Sequence, residues 1–474
     1  VPDGKPPRLA PTSSRDDYYA GLLAYPSSDL GIGDIVKFDH STGKWHIWNG
    51  VRWEPDKDDK IIDMIRNCLF DWIADNDRNG HADANKTLLP LLDYGRKQQV
   101  LKALASMRGI AMSGDEWDAD PFLIGFENGV MDLRTGVLDE HPSPDTMVSK
   151  STGIVWDQNA DMSPFLDFIT EIMSGDHDVS NYLLNVLGYS LIGVNQEQKF
   201  WMWVGRGSNG KGILARTVTK ALGDYAYSPP DTLYMRTKVG AATSNTPRPE
   251  LLKLKSMRFT FMSEPQGGQF NEELLKAHTG NDPIEARNLY STRFMTFTPS
   301  HKINFLTNEP PRTDDVGPSM QRRVRIIKFQ EDYSPGSGRE DNTLEGRLQT
   351  PEGLQGVMRA LVEYAKDYLK TSLLPEPQAV TNWSRAYIAD NDPITAFLSA
   401  KCVEEPDAEA KGGELYKSFS QFCADGGYED MSMTPFGRHM ASRFVKKVRS
   451  AGSFYLGVRL KNSTDWASET EDAE

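Results

Sequence analysis

Only three cysteines, Cys68, Cys402 and Cys423, occur in 474 residues, and each is isolated in the chain. They exclude a disulfide framework and the paired CxxC spacing of a structural zinc site, and they fit a reducing compartment. Long apolar runs are also missing. No stretch approaches the roughly 18 residues that mark a bilayer span, and the first residues, Val-Pro-Asp-Gly-Lys-Pro-Pro, have no apolar signal core, so neither a membrane nor secretion is expected. There are no internal repeats, and after Lys461 the chain has five acidic and no basic residues and reads as a disordered tail. What is present, 38% hydrophobic and 25% charged residues, is the composition of folded domains, and the length supports about two to four of them.

The net charge of -14 argues against a nucleic-acid partner, because Lys and Arg supply most affinity for phosphate backbones. The charge is unevenly spread. Residues 196–330 hold 20 Lys and Arg against 12 Asp and Glu, a local +8, which leaves -22 for the remainder. A basic block inside an acidic chain asks for its own explanation.

Residues 1–16 read as a flexible arm. Beyond them, Ile35 to His40, Lys44 to Trp48 and Val51 to Trp53 alternate as short strands, with Asn49-Gly50 as a hairpin signal. Trp45, Trp48 and Trp53 fit either a base-stacking platform or, more simply, the core of a small sheet. Helical periodicity follows over 58–76 and 94–112. Asp118 and Asp120, in an acidic run, have the spacing of a two-carboxylate metal site but no partner motif, and an acidic loop accounts for them. Two amphipathic helices between 164 and 193 lead into the basic block.

There, Phe200-Trp-Met-Trp-Val204 has the continuous apolar character of a buried parallel strand. It runs into Gly205-Arg206-Gly207-Ser208-Asn209-Gly210-Lys211-Gly212 and a helical segment from Ile213 to Leu222. Strand, glycine loop, helix is the context in which backbone N–H groups converge on phosphate oxygens and a lysine reaches the β and γ phosphates. The usual Ser or Thr after the lysine, a Mg²⁺ ligand, is replaced by Gly212, so the metal loses a protein ligand that water can replace. Two further strand patterns end in polar groups. Arg258 to Glu264 ends in a carboxylate suited to polarising water or to the metal's second shell, and Ile303 to Asn308 ends in an amide suited to orienting the same water. Arg322 and Arg323, before the strand pattern Val324 to Phe329, suit an arginine finger or surface ion pairs.

These residues, with Leu275-Lys276-Ala-His-Thr-Gly-Asn-Asp-Pro-Ile-Glu-Ala-Arg287-Asn-Leu-Tyr290, resemble the superfamily-three helicase core of the phage and plasmid primase-helicase family, related to the poxvirus primase-helicase. Asn128 to Gly136 and Tyr182 to Ser190 resemble that family's preceding domain, so the likeness covers about residues 35–330. It implies an α/β fold, a P-loop, AAA+-like helicase core with an N-terminal α+β domain; a helix-then-strand-pair pattern near the C-terminus adds the expectation of a C-terminal winged-helix-like domain. The likeness also implies ATP and Mg²⁺ as cofactors, bound by 205–213 (through Ile213) and Glu264. Lys211, Glu264, Asn308 and Arg323 take the catalytic roles, with Arg322 as second choice for the finger. Lys276, Arg287, Tyr290, Arg293 and Lys302 are expected on single-stranded DNA, the tyrosine stacking and the cations meeting phosphate. Ser263, where many nucleotide hydrolases place Asp, thins the metal site further.

The expected organisation is a flexible arm (1–16), an N-terminal α+β domain (17–160), a helical linker or collar (161–195), the ATPase core (196–335), a helical connection (336–380), a C-terminal domain (381–461) and an acidic tail (462–474). In the C-terminal domain a helix from Phe436 to Arg449, N-capped by Thr434, carries Arg438, Arg443, Lys446, Lys447 and Arg449 and precedes a wing at 453–461, which fits duplex binding or a solvated basic face. The expected function is an ATP-dependent helicase acting on single-stranded or forked DNA as a homo-hexameric ring, beside a separate primase or polymerase, in the cytoplasm of a bacterial host. The alternatives are a nucleotide-dependent DNA-binding or origin-assembly factor with weak or no hydrolysis, and a small-molecule kinase.

Overall fold

The structure is a computed structural model and describes residues 15–24, 31–236, 248–265, 268–287, 294–426, 428 and 430–462. At the N-terminal end, Val36–Asp39, Lys44–Trp48 and Trp53–Pro55 form an antiparallel meander, extended by Ala111–Met112 running parallel to the first strand. The Asn49 side chain accepts the N–H groups of Val51 and Arg52, each at 2.8 Å, and Gly50 takes φ 99°, which closes the Asn-Gly turn. Trp53 is fully buried and packs near Trp48 and Trp117, while Trp45 packs on Phe38, so the tryptophans belong to the packing of this sheet. Asp118 caps the loop at Ser149 and Asp120 bonds Phe122 N–H and Arg134, which accounts for both carboxylates.

Helices Lys60–Arg78 and Tyr94–Leu104 cover the meander. The second ends earlier than its periodicity suggests, because the chain turns at Gly109, φ 86°, to supply the strand Ala111–Met112. Helices Ser163–Ile172 and His177–Tyr189 then pack with Pro351–Thr371 on one face of the central sheet.

That sheet has five parallel strands in the order Val324–Lys328, Phe200–Val204, Lys302–Thr307, Phe259–Ser263, Ala226–Tyr227. Both faces are covered, and every residue of Lys302–Thr307 is buried, which is why its inner strands read as near-continuous apolar runs. Register aligns Thr307 with Val204 and Leu306 with Ser263, so the segments after three strands emerge side by side at one edge.

Helix Gln378–Asn391 lies along the edge strand Val324–Lys328. Beyond it, Pro393–Lys401, Gly412–Gly426 and Met433–Arg443 enclose a small core with the sheet Glu409–Lys411, Gly452–Leu456, Val445–Arg449. The basic helix expected over 436–449 stops at Arg443, begins after Ser432 rather than Thr434, and gives way to an extended Phe444 and the strand Val445–Arg449. Two β-branched valines and Gly452 at φ 122° favour the hairpin there. No helix among the described residues is long and apolar enough to cross a membrane.

Candidate nucleotide-binding site

The Gly205–Lys211 loop leaves the central sheet at its C-terminal edge, where open α/β sheets receive ligands. Its curl is built from two left-handed positions, Ser208 at φ 55° and Gly210 at φ 87°. A Cβ at Gly205 would collide with the Phe329 carbonyl and the Asn209 amide, so only glycine fits there. Asn209 is buried and donates to the carbonyls of Arg206 at 3.0 Å and Phe329 at 3.3 Å. It therefore fastens the loop to the end of the outermost strand.

Lys211 opens the helix Lys211–Leu222, is 6% exposed and donates to the Gly205 carbonyl. Burial lowers its pKa, and the Glu264 carboxylate pulls it partly back. Its ammonium and the free N–H groups of the helix start point the same electrostatic sign at the loop. Glu264 follows the neighbouring strand in a left-handed conformation, φ 47°, costly for a non-glycine residue and common at working sites. Its N–H is held by Leu306 O at 2.7 Å, and its carboxylate accepts from Asn308 N–H at 3.5 Å. Loop, Glu264 and Asn308 thus line a single cavity of about 530 Å³. Chain-distant residues complete it, among them Phe168, Glu171, Tyr333, Arg339 and Arg347. Sequence reasoning missed all five, and no local motif marks them. Tyr333 is brought in by its N–H, which donates to Ser208 O at 2.7 Å, and Arg339 lies over its ring at 5.1 Å.

At Gly212 a Cβ would meet only the Arg216 guanidinium at 2.9 Å, the movable end of a side chain paired with Glu345. Space does not require glycine there. Among the described residues, no group of three or more His, Cys, Asp or Glu side chains could hold a metal ion. Glu264 and water fit a nucleotide-bound cation better than a resident metal.

The other expected residues are dispersed. Arg323 sits at the opposite edge of the sheet, 6% exposed, and donates to Thr279 Oγ1 at 3.1 Å and to Ser319 O and Oγ at 2.8 Å. Arg322 beside it is exposed. Lys276 forms an ion pair with Asp315. Arg287 is half-buried at the end of the hairpin strand Ile284–Ala286, paired with Met295–Phe297, and lies over the Phe294 ring at 5.8 Å. Tyr290 and Arg293 lie outside the described residues. Lys302 is not on the surface: it is 1% exposed, donates to the carbonyls of Ile192 and Ser300 and lies 4.5 Å from the Tyr189 ring. Burial drives its pKa well below the ordinary lysine value, so in this fold it is an interior group and not a DNA contact.

Residues 18–174 match the family described as D5 N terminal like, and residues 389–467 match Poxvirus D5 protein-like. "Putative helicase L207/L206" of Acanthamoeba polyphaga mimivirus is 27% identical over 396 residues, covering 75% of this chain and 40% of the relative. "Putative helicase 022R" of Frog virus 3 is 24% identical over 409 residues, 70% of this chain and 41% of the relative. "Putative primase C962R" of African swine fever virus (strain Badajoz 1971 Vero-adapted) is 23% identical over 322 residues, 62% of this chain and 32% of the relative. The chain therefore spans about two fifths of the length of the two helicase-named relatives. Among solved structures, the apo C terminal region of NrS-1 aligns over 94% of this chain and all of that one, at 11% identity and a TM-score of 0.49. A D5 N terminal like region thus precedes the glycine loop and a Poxvirus D5 protein-like region follows the sheet, an arrangement consistent with a primase-helicase family related to the poxvirus D5 protein.

Proposed function

We propose that the chain is an ATP-driven DNA helicase or translocase of viral, phage or plasmid replication, acting on single-stranded DNA as a ring with an AAA+-like core. The observation that carries this reading is the convergence of the glycine loop, Lys211, Glu264 and Asn308 on one cavity at one sheet edge. In it, loop N–H groups and Lys211 hold the β and γ phosphates, Asn308 orients water, and Glu264 polarises it. Mg²⁺, when bound with the nucleotide, neutralises phosphate charge, and Glu264 is the protein group suited to it. An arginine finger belongs on the far side of the subunit from its own nucleotide. Of the two candidates, exposed Arg322 is better placed to leave the subunit than buried Arg323, which reverses the order expected from sequence.

Steady-state ATP turnover with and without single-stranded DNA tests the proposal. Mg²⁺-dependent turnover that rises with DNA and disappears in Lys211→Ala is expected; wild-type turnover in that variant sinks it. The second reading, a nucleotide-dependent DNA-binding or origin-assembly factor, is favoured by the thin metal site at Gly212 and Ser263. It predicts nucleotide binding without measurable turnover.

A further inference from the structure

The small C-terminal sheet pairs Glu409–Lys411 and Val445–Arg449 on either side of Gly452–Leu456, and its two faces differ. Tyr455 is buried and donates to the Gly437 carbonyl at 3.0 Å, so the face carrying Tyr455 and Ala410 packs on the helices. Strand residues alternate, and Phe454 therefore faces outward. Register places Lys411 and Lys447 directly opposite Phe454 on its two sides, with Arg449 on the same face beside Gly452. The Arg449 guanidinium lies over the Phe454 ring, 4.8 Å from its centroid, and two of its nitrogens each bond Glu409 at 2.8 Å. Every residue of Val445–Arg449 is exposed.

This face has a specific chemistry. A guanidinium beside an outward-facing aromatic ring groups two π surfaces of the kind on which a nucleobase stacks. The two lysines belong to strands on opposite sides of the central one, about 10 Å apart, a span that reaches phosphates on either side of one nucleotide. The face holds three cations against one carboxylate, Glu409, which already fills the Arg449 fork as a phosphate oxygen pair would. That pair is solvent-exposed, so exchanging it for phosphate costs little.

We propose that the outer face of this sheet binds single-stranded nucleic acid, one base stacked on the Arg449–Phe454 pile and the flanking phosphates held by Lys411 and Lys447. The bases of a duplex are stacked on each other and offer no free face, which is why the occupant is single-stranded. This contact adds to the reading of the chain as a DNA motor, but it uses none of the nucleotide-site residues and requires no nucleotide.

The full chain, without nucleotide, is titrated into a labelled oligothymidine and followed by fluorescence anisotropy at several salt concentrations. Lys447→Glu and Lys411→Glu are each expected to weaken binding by about three- to tenfold at low salt and to reduce the salt slope by about one. Arg449→Lys keeps the charge but loses the plane, and is expected to weaken binding without that change in slope. Photo-cross-linking from an iodouracil-substituted oligonucleotide is expected to mark residues in 447–456. Unchanged affinity and slope in both lysine variants, or no cross-link in that segment, overturns the proposal. Equal losses on blunt duplex overturn the single-strand assignment. Failures separate cleanly: normal binding by Lys447→Glu while Lys211→Ala loses turnover removes this contact and leaves the motor. Lost binding by Lys447→Glu while Lys211→Ala turns over normally does the reverse.

Discussion

Four residues show how much a single position decides. Gly212 has room for a larger residue, since only the flexible Arg216 guanidinium stands in the way. Gly212→Ser would return a hydroxyl to the usual metal-ligating place, and the Mg²⁺ concentration for half-maximal ATP turnover is expected to fall severalfold. A rise in that concentration would show that the loop works without the ligand for a reason other than history. His278 and His301 are buried around the Tyr234 hydroxyl, at 2.8 and 3.1 Å, and burial depresses both, His278 to about 3. A His with a lowered folded pKa contributes its full stability above the unfolded value near 6.5 and loses it as pH falls below that. The cost grows by about 1.4 kcal/mol per pH unit for each such group. Denaturant midpoints should therefore drop steadily between about pH 6.5 and 4, and His278→Gln should flatten that fall. Lys302 shows why residue identity misleads: a lysine at the start of a buried strand looks like a surface cation, and only the carbonyls of Ile192 and Ser300, out of sight in the sequence, say otherwise. Lys302→Met is expected to alter thermal stability and leave DNA affinity unchanged.

At the scale of elements, whatever depends on local chemistry was legible. The strand, glycine loop and helix at 200–222, the Asn-Gly hairpin and the strand endings at Glu264 and Asn308 all appear where their patterns place them. Endings set by pairing with another strand were not. The helix over 94–104 stops because Ala111–Met112 is claimed by the first strand of the meander, and the basic stretch at 445–449 becomes a strand because Gly452–Leu456 is there to pair with it. The far wall of the cavity at the glycine loop comes from helix Ser163–Ile172 and from 333–347, which no motif could join to the loop. The Asn209 tie between loop and edge strand is testable on this scale. Asn209→Ala removes a buried donor from the Phe329 carbonyl and is expected to cost about 1–3 kcal/mol in thermal or chemical unfolding, with weaker nucleotide binding.

For the whole molecule, the +8 block inside a -14 chain reads differently once folded. Arg258, Lys302 and Arg323 are all buried, so part of the positive charge serves the interior and does not face a ligand. Arg258, for example, donates to the carbonyls of Leu191 and Leu123 and lies 4.7 Å from the Tyr225 ring, joining the sheet to the segments before it. Of the block's proposed DNA residues, Arg287 stays half-buried at the end of its hairpin strand, and the cations of the C-terminal sheet lie outside the block. Arg287→Glu should weaken single-strand binding by about the same modest factor as Lys447→Glu, and the double variant should combine the two losses if the two contacts are independent. One arrangement carries further. The loop is joined to the chain leaving the sheet twice, through Asn209 to Phe329 and through Ser208 to Tyr333, and that chain runs on toward Pro351–Thr371, which lies against His177–Tyr189. Anything that shifts the loop therefore has a short bonded route, through 329–351, to the long helix and from it to the helix that lies before the sheet.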